Sequence, residues 1–224
     1  MIVFAVHDRT DFIERILDKL NEFNKIDVLI VDTNSSNNNV IDFYNMLDKN
    51  KYNYKIYFER VESDCYDSGA YIHSYKKYKS DFYYFFQDSI EFINENIFND
   101  INNLLNVYDV VAVSPFPLIF DNKEQVDWIT SNIPVSEIMK VSNRRMYGIF
   151  GPMFSIKRST LEKIPTEWLI YPTIKNQAMA MERKWSIMFN ILDFKTTYLE
   201  SDHMEFLSSQ HPNKYINKTM LARL

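Results

Sequence analysis

The sequence predicts an α/β protein: a single domain over residues 1–224 built on a central, mainly parallel sheet flanked by helices. Three observations lead there. Short apolar runs alternate with amphipathic stretches through the first hundred residues, the pattern of strands joined by crossover helices. Residues 82–87, "FYYFFQ", are apolar on both faces, as a strand covered on both sides must be. Finally, Asp8, Asp32 and Asp88 each come within two residues of the end of an apolar run, which puts all three at carboxyl ends of strands, where open α/β sheets gather their ligands.

Taken in order, "IVFAV" (2–6) is the first strand and "HDR" its turn. In "DFIERILDKLNEF", Phe12, Ile16, Leu17, Leu20 and Phe23 recur at helical spacing, with Thr10 or Asp11 as cap. "IDVLIVD" is the second strand, "TNSSNNN" its turn, and residues 40–48 the next helix. "YKIYFER" is a third strand, residues 68–79 a helix, and 82–87 the central strand. After residue 95 the regularity weakens. A helix near 95–106 leads to the strand "YDVVAVSPFPLIF", with prolines at its exit, and residues up to 147 read as irregular. Then come "GIFGPMFSIKRSTLEKI", a strong helix over 174–192, and a last strand and loop in "KTTYLESDHMEF". There is no internal repeat and no Gly-rich or Pro-rich linker, so nothing marks a second domain.

Composition narrows the function classes. With 46% hydrophobic and 25% charged residues the chain has the balance of a soluble globular protein, and its longest apolar runs are too short to span a bilayer. A net charge of −5 without a long basic run argues against a phosphate-tracking nucleic-acid surface. Cys65 is the only cysteine, which rules out an internal disulfide or thiolate zinc site and fits a reducing, cytoplasmic setting. Glycine, ordinarily roughly 7% of residues, occurs only at Gly69, Gly148 and Gly151, so each is expected where the backbone needs positive φ or a close approach.

These motifs resemble the nucleotide-sugar glycosyltransferases of the GT-A, Rossmann-like fold, most closely those similar to glycosyltransferase family 2. "HDR" looks like the opening turn, "VLIVDTNSS" like the second-strand motif, and "DSGAYIHSYKKYKSDFYYFFQDSIEF" like the Gly-Ala helix and the strand ending in the DxD region. The resemblance covers about the first hundred residues well. It implies that residues 1–95 bind the nucleotide sugar and residues 96–224 form the acceptor side, where "GPMFSIKRSTLEKI" and "AMAMERKWSI" correspond more loosely.

The resemblance implies a nucleotide-diphosphate sugar donor, UDP-sugar favoured, a glycan or other hydroxyl acceptor, and inversion at the anomeric carbon. Asp32 would accept from the base N–H, with Asp8 and Arg9 flanking the nucleotide and Gly69 beneath it. Asp88 would hold a divalent Mn²⁺ or Mg²⁺ on the diphosphate. Gln87 and Ser89 depart from the family pattern, which puts the metal in doubt. His203 would complete the metal site. Without a metal, Arg144, Arg145, Lys157 and Arg158 would neutralise the leaving group. Glu182, at the edge of an apolar stripe and flanked by Ala178 and Phe189, is the candidate general base, with Asp127 in reserve. Gly148 and Gly151 would let the backbone approach donor or acceptor, and Trp128, Tyr147, Trp168 and Trp185 offer platforms for a sugar ring. Two rival readings stay open: a degenerate, noncatalytic sugar- or partner-binding domain, and a sugar-phosphate nucleotidyltransferase. The second would ordinarily carry a Gly-rich first loop, which "HDRTDF" lacks.

Overall fold

The structure, a computed structural model, describes residues 1–206 apart from Arg9, Asp11, Asn24, Asp64, Arg145 and residues 200–202. Strands β1 (Ile2–Val6), β2 (Val28–Thr33), β3 (Ile56–Val61) and β4 (Phe82–Gln87) alternate with helices α1 (Ile13–Phe23), α2 (Asn38–Met46) and α3 (Tyr66–Lys77). Then follow β5 (Ile90–Phe92), α4 (Ile97–Leu105), β6 (Val110–Ala112), β7 (Pro115–Pro117), α5 (Lys123–Asn132), α6 (Val135–Val141), β8 (Tyr147–Ile149), β9 (Phe154–Lys157) and α7 (Arg158–Leu161). The chain closes with α8 (Lys175–Ile191), β10 (Thr196–Tyr198) and β11 (Met204–Phe206).

Seven strands form one sheet in the order β10-β6-β9-β4-β1-β2-β3. All neighbours are parallel except β9, which runs antiparallel between β4 and β6. The mainly parallel α/β architecture is therefore as the alternation predicts. Two antiparallel pairs, β5 with β11 and β7 with β8, lie outside the main sheet.

The aromatic run of β4 serves two cores at once because strand side chains alternate between faces. Tyr84 and Phe86 pack with α1, α2 and α4, beside Phe4, Leu17 and Ile101. Tyr83 and Phe85 pack with α3 and α8, beside Tyr71, Trp185 and Phe189. The Phe85 ring stacks on Tyr71 at 4.6 Å between centroids. Full burial of each such ring contributes roughly 1.5–3 kcal/mol.

One stretch departs from the sequence reading. Residues between 118 and 147, expected to be irregular, contain α5 and α6. The signal is a cap: Asn122 accepts from the Gln125 backbone N–H at 3.0 Å, and the Gln125 side chain accepts from the Asp121 N–H at 3.1 Å. Asn followed three residues later by Gln is a helix-start pattern, and the weak apolar stripe behind it hid the helix. Among the described residues, no helix is long and apolar enough to cross a membrane.

Candidate active site

Because β1, β2 and β4 are parallel, their carboxyl ends open on one edge of the sheet. Asp32 pairs with Val6 and Gln87 with Ala5, so Asp32 and the end of β4 flank β1 on either side. Two strand spacings separate them, roughly 10 Å. Asp32 and Asp88 thus lie at the same, carboxyl end of the sheet, on the two sides of β1.

On the β2 side the carboxylates organise the loops. Asp32 is fully buried and bonded on both oxygens: Oδ1 accepts from the Ser35 N–H at 3.1 Å and from its hydroxyl, and Oδ2 from Arg60 Nη1 at 3.0 Å. Arg60 is its register partner on β3, and Nη2 also donates to the Ser35 carbonyl at 3.0 Å. Asp8 adopts a left-handed backbone, φ 53°, and its Oδ1 accepts from the Ser36 and Asn37 N–H groups at 2.7 and 3.1 Å, just ahead of α2. The Asn37 amide in particular holds this carboxyl below its usual range.

On the β4 side a second cluster joins three elements. Gln87 Nε2 donates to Asp67 Oδ2, in the first turn of α3, at 2.6 Å. Gly151, φ 61°, lies against the Gln87 side chain so closely that a Cβ there would stand 2.8 Å from Oε1. The Gly151 N–H donates to Glu182 Oε1 of α8 at 3.0 Å. Glu182 Oε2 accepts from Arg183 Nη1 at 2.9 Å, and Arg183, 2% exposed, also donates to the carbonyls of Met179 and Ile119. Burial pushes the Glu182 carboxyl up to about 7; Arg183 and the Gly151 N–H pull it down, and Asp67 and Asp121 push it further up. Burial also raises Asp67 to about 6, against the Gln87 hydrogen bond and the charges of Lys175 and His7. A carboxyl that exchanges its proton near neutrality is suited to general acid–base work.

Searches by sequence find no matching family model and no matching curated protein. Solved structures do match. TarS 1–349 of S. aureus superposes with a TM-score of 0.55 at 14% identity, over 96% of this chain and 61% of that one. Glucosyl-3-phosphoglycerate synthase from Mycobacterium tuberculosis, in complex with Mn²⁺, UDP and glucosyl-3-phosphoglycerate, gives 0.57 at 10% identity, over 96% and 73%. A mannosyltransferase from Pyrobaculum calidifontis, in complex with GDP-Man and Mn²⁺, gives 0.54 at 10%, over 96% and 58%.

The fold is that of the GT-A glycosyltransferases. The chain spans less than two thirds of the length of TarS 1–349 and of the mannosyltransferase, and at these identities the likeness concerns the fold.

Within this GT-A fold the structure sorts the residues singled out in the sequence. Glu182 and Gly151 come together beside Gln87 at the carboxyl end of β4, and Asp88 follows Gln87 directly in the chain. Arg144 does not: it donates to the Asn190 carbonyl and Asp193, eight and eleven residues beyond Glu182 on or past α8. Eight residues are roughly 12 Å of helix, toward the opposite end. Arg158 bonds Tyr83 and Tyr78, and Lys157 pairs with Phe82, both at the amino end of β4. Asp127 is exposed on α5 and pairs with Lys123 at 3.9 Å. His203 is buried, with Nε2 2.9 Å from Asp100 on α4, and its carbonyl accepts from the Ile93 and Asn94 N–H groups. Glu91 is engaged by Arg15.

Gly69 has a packing role within α3, since a Cβ there would stand 2.4 Å from that of buried Cys65. Gly148 lies in the β7–β8 pair opposite Phe116. Trp185 and Trp168 are core, with the Trp185 indole N–H on Ser68 at 3.0 Å, while the Trp128 ring faces Lys184. Arg9, Arg145 and Asp202 lie outside the described residues.

Sequence reasoning missed Asp67, Gln87 as its partner, and Lys175 and His7 near Asp67. Asp67 in a first helical turn reads as an ordinary helix-start acid. Only the tertiary contact to β4 distinguishes it.

Proposed function

We infer that this chain is a glycosyltransferase that moves a sugar from a nucleotide-diphosphate donor, UDP-sugar favoured, to a hydroxyl of a glycan or other acceptor, with inversion. The observation that carries the reading is Glu182: a carboxyl poised at about 7 and held by the Gly151 turn beside Gln87, the last residue of β4 and the one before Asp88, in a GT-A fold. As base, Glu182 takes the acceptor hydroxyl proton while that oxygen attacks the anomeric carbon and the bond to the diphosphate breaks. Hexosyl transfer is the expected kind. The Gly151 N–H and Arg183 hold the two carboxylate oxygens in place.

Among the described residues no three His, Cys, Asp or Glu side chains are grouped so as to hold a metal ion. A lone carboxylate such as Asp88 is what an ion arriving with the nucleotide would need: Mn²⁺ or Mg²⁺ takes one or two carboxylates plus phosphate oxygens and water. Asp88 would hold it, and the ion would neutralise charge on the leaving diphosphate. The M. tuberculosis and P. calidifontis enzymes were solved with Mn²⁺, which supports this reading. His203, engaged with Asp100, fits it less well. Lys175, exposed near Asp67, would take the place of Arg144 and Arg158 as a cation near the phosphates, with the His7 imidazole also exposed at the end of β1. Since Asp32 has no exposed surface, base recognition falls to the loop 33–37 that it shapes.

Calorimetry with UDP- and GDP-sugars, with and without Mn²⁺, tests the reading. Donor binding with Mn²⁺-dependent hydrolysis or transfer is expected. Binding without turnover against any acceptor would favour a noncatalytic domain, and consumption of a nucleoside triphosphate with a sugar phosphate would overturn the assignment.

A further inference from the structure

The contacts at the end of β4 form a chain that starts away from the reacting groups. Asp67 Oδ2 accepts from Gln87 Nε2 at 2.6 Å. A carboxylate can only accept, so this bond dictates which end of the Gln87 amide faces α3 and leaves Oε1 turned to Gly151. Gly151 has no Cβ where one would stand 2.8 Å from Oε1 and 3.0 Å from Cδ, so the Gln87 amide occupies the volume a side chain at 151 would need. The left-handed backbone at Gly151 then aims its N–H at Glu182 Oε1, 3.0 Å away. Each link is a contact between different elements: α3 to β4, β4 to the loop before β9, and that loop to α8. The charged groups around the chain are Arg183 and Asp121 on the Glu182 side, and Lys175 and His7 on the Asp67 side.

We propose that Asp67 is a positioning residue for Glu182: it locks the Gln87 amide, Gln87 seats the Gly151 turn, and the Gly151 N–H orients the Glu182 carboxylate. The role rests on the reading of Glu182 as the base, but its geometric content does not.

Hydrogen exchange at the Gly151 amide reads the geometry directly, and kcat against KM reads its consequence. In Asp67→Ala, Gly151 exchange is expected to accelerate about tenfold or more while amides of the sheet core stay protected. Transfer should lose kcat with little change in donor KM. Asp67→Asn keeps an acceptor for Gln87 Nε2, so it should restore both the protection and most of the kcat. Gln87→Ala should mimic Asp67→Ala, and combining the two should add little, because two residues acting in one chain are not additive. If Asp67→Ala does not fold, Gln87→Ala with Asp67 intact carries the same expectation. Unchanged Gly151 exchange in these variants, or full additivity of the pair, overturns the proposal. Accelerated Gly151 exchange with unaltered transfer upholds the positioning chain and counts instead against Glu182 as the base.

Discussion

Glu182 carries opposite demands from stability and chemistry. Its carboxyl is shifted from the ordinary 4.5 up to about 7, chiefly by burial. Below pH 4.5 it is protonated in both folded and unfolded chains and costs nothing. As pH rises toward 7 the unfolded chain ionises first, and above about 7 the folded protein bears the whole penalty, on the order of 3 kcal/mol. Glu182→Gln should therefore melt higher than the wild type at pH 8, and the gain should shrink at pH 5; equal shifts at both would show that the carboxyl is not perturbed. Activity should move the other way. A base works deprotonated, so the transfer rate should climb with pH through about 7, and Glu182→Gln should lose on the order of 10²–10⁴-fold in turnover while still binding donor. Unaffected turnover would move the base elsewhere. At this scale the sequence was legible where periodicity speaks: a Glu on the margin of an apolar stripe can be found by counting. The partners of Asp32 and the link from Asp67 to Gln87 depend on register and tertiary contact, which no local pattern encodes.

Helix α8 carries Glu182, and its least comfortable residue is Lys184. The side chain is fully buried, its Nζ has no hydrogen-bond partner among the described residues, and the Trp128 ring of α5 faces it at 4.5 Å. Cation–π attraction offsets part of the desolvation, yet burial still pushes the amine down to about 7. With the folded value depressed from 10.5, the contribution to stability runs opposite to that of a raised group: no cost above about 10.5, a growing cost as pH falls, and the full cost below about 7. Lys184→Met, similar in length and apolar, should thus stabilise the protein by a few kcal/mol at pH 6 and by little at pH 10.5, read by thermal melts. A loss of stability at pH 6 would mean that the amine has a partner in solution. Element by element, β1 to β4 and α1 to α3 were readable because short, continuous apolar runs buried on both faces are separated by longer stretches of mixed polarity. Helices α5 and α6 were not, because few of their side chains are buried and little periodic signal survives.

The seven-stranded sheet draws β1 to β4 from residues 1–95 and β6, β9 and β10 from the residues after them, and β9 inserts antiparallel against β4. The candidate site repeats that interleaving, with Asp32 and Asp88 from the first half and Gly151 and Glu182 from the second. A nucleotide seated there would touch both halves, so its binding energy should stabilise the molecule as one unit. A ligand at 100 times its Kd adds about 2.7 kcal/mol, and for a chain of this size each kcal/mol moves Tm by about 2–4 °C. UDP or a UDP-sugar with Mn²⁺ should therefore raise a single melting transition by roughly 5–10 °C. Asp88→Ala should keep the unliganded Tm near that of the wild type, because it removes a charge at the strand mouth and no core volume, and should lose the part of the shift that requires Mn²⁺. Two separate transitions, of which the nucleotide moves one, would divide the chain into independent domains. No shift with any UDP or GDP compound, with or without Mn²⁺, would mean that the carboxyl edge of this sheet is not a nucleotide site.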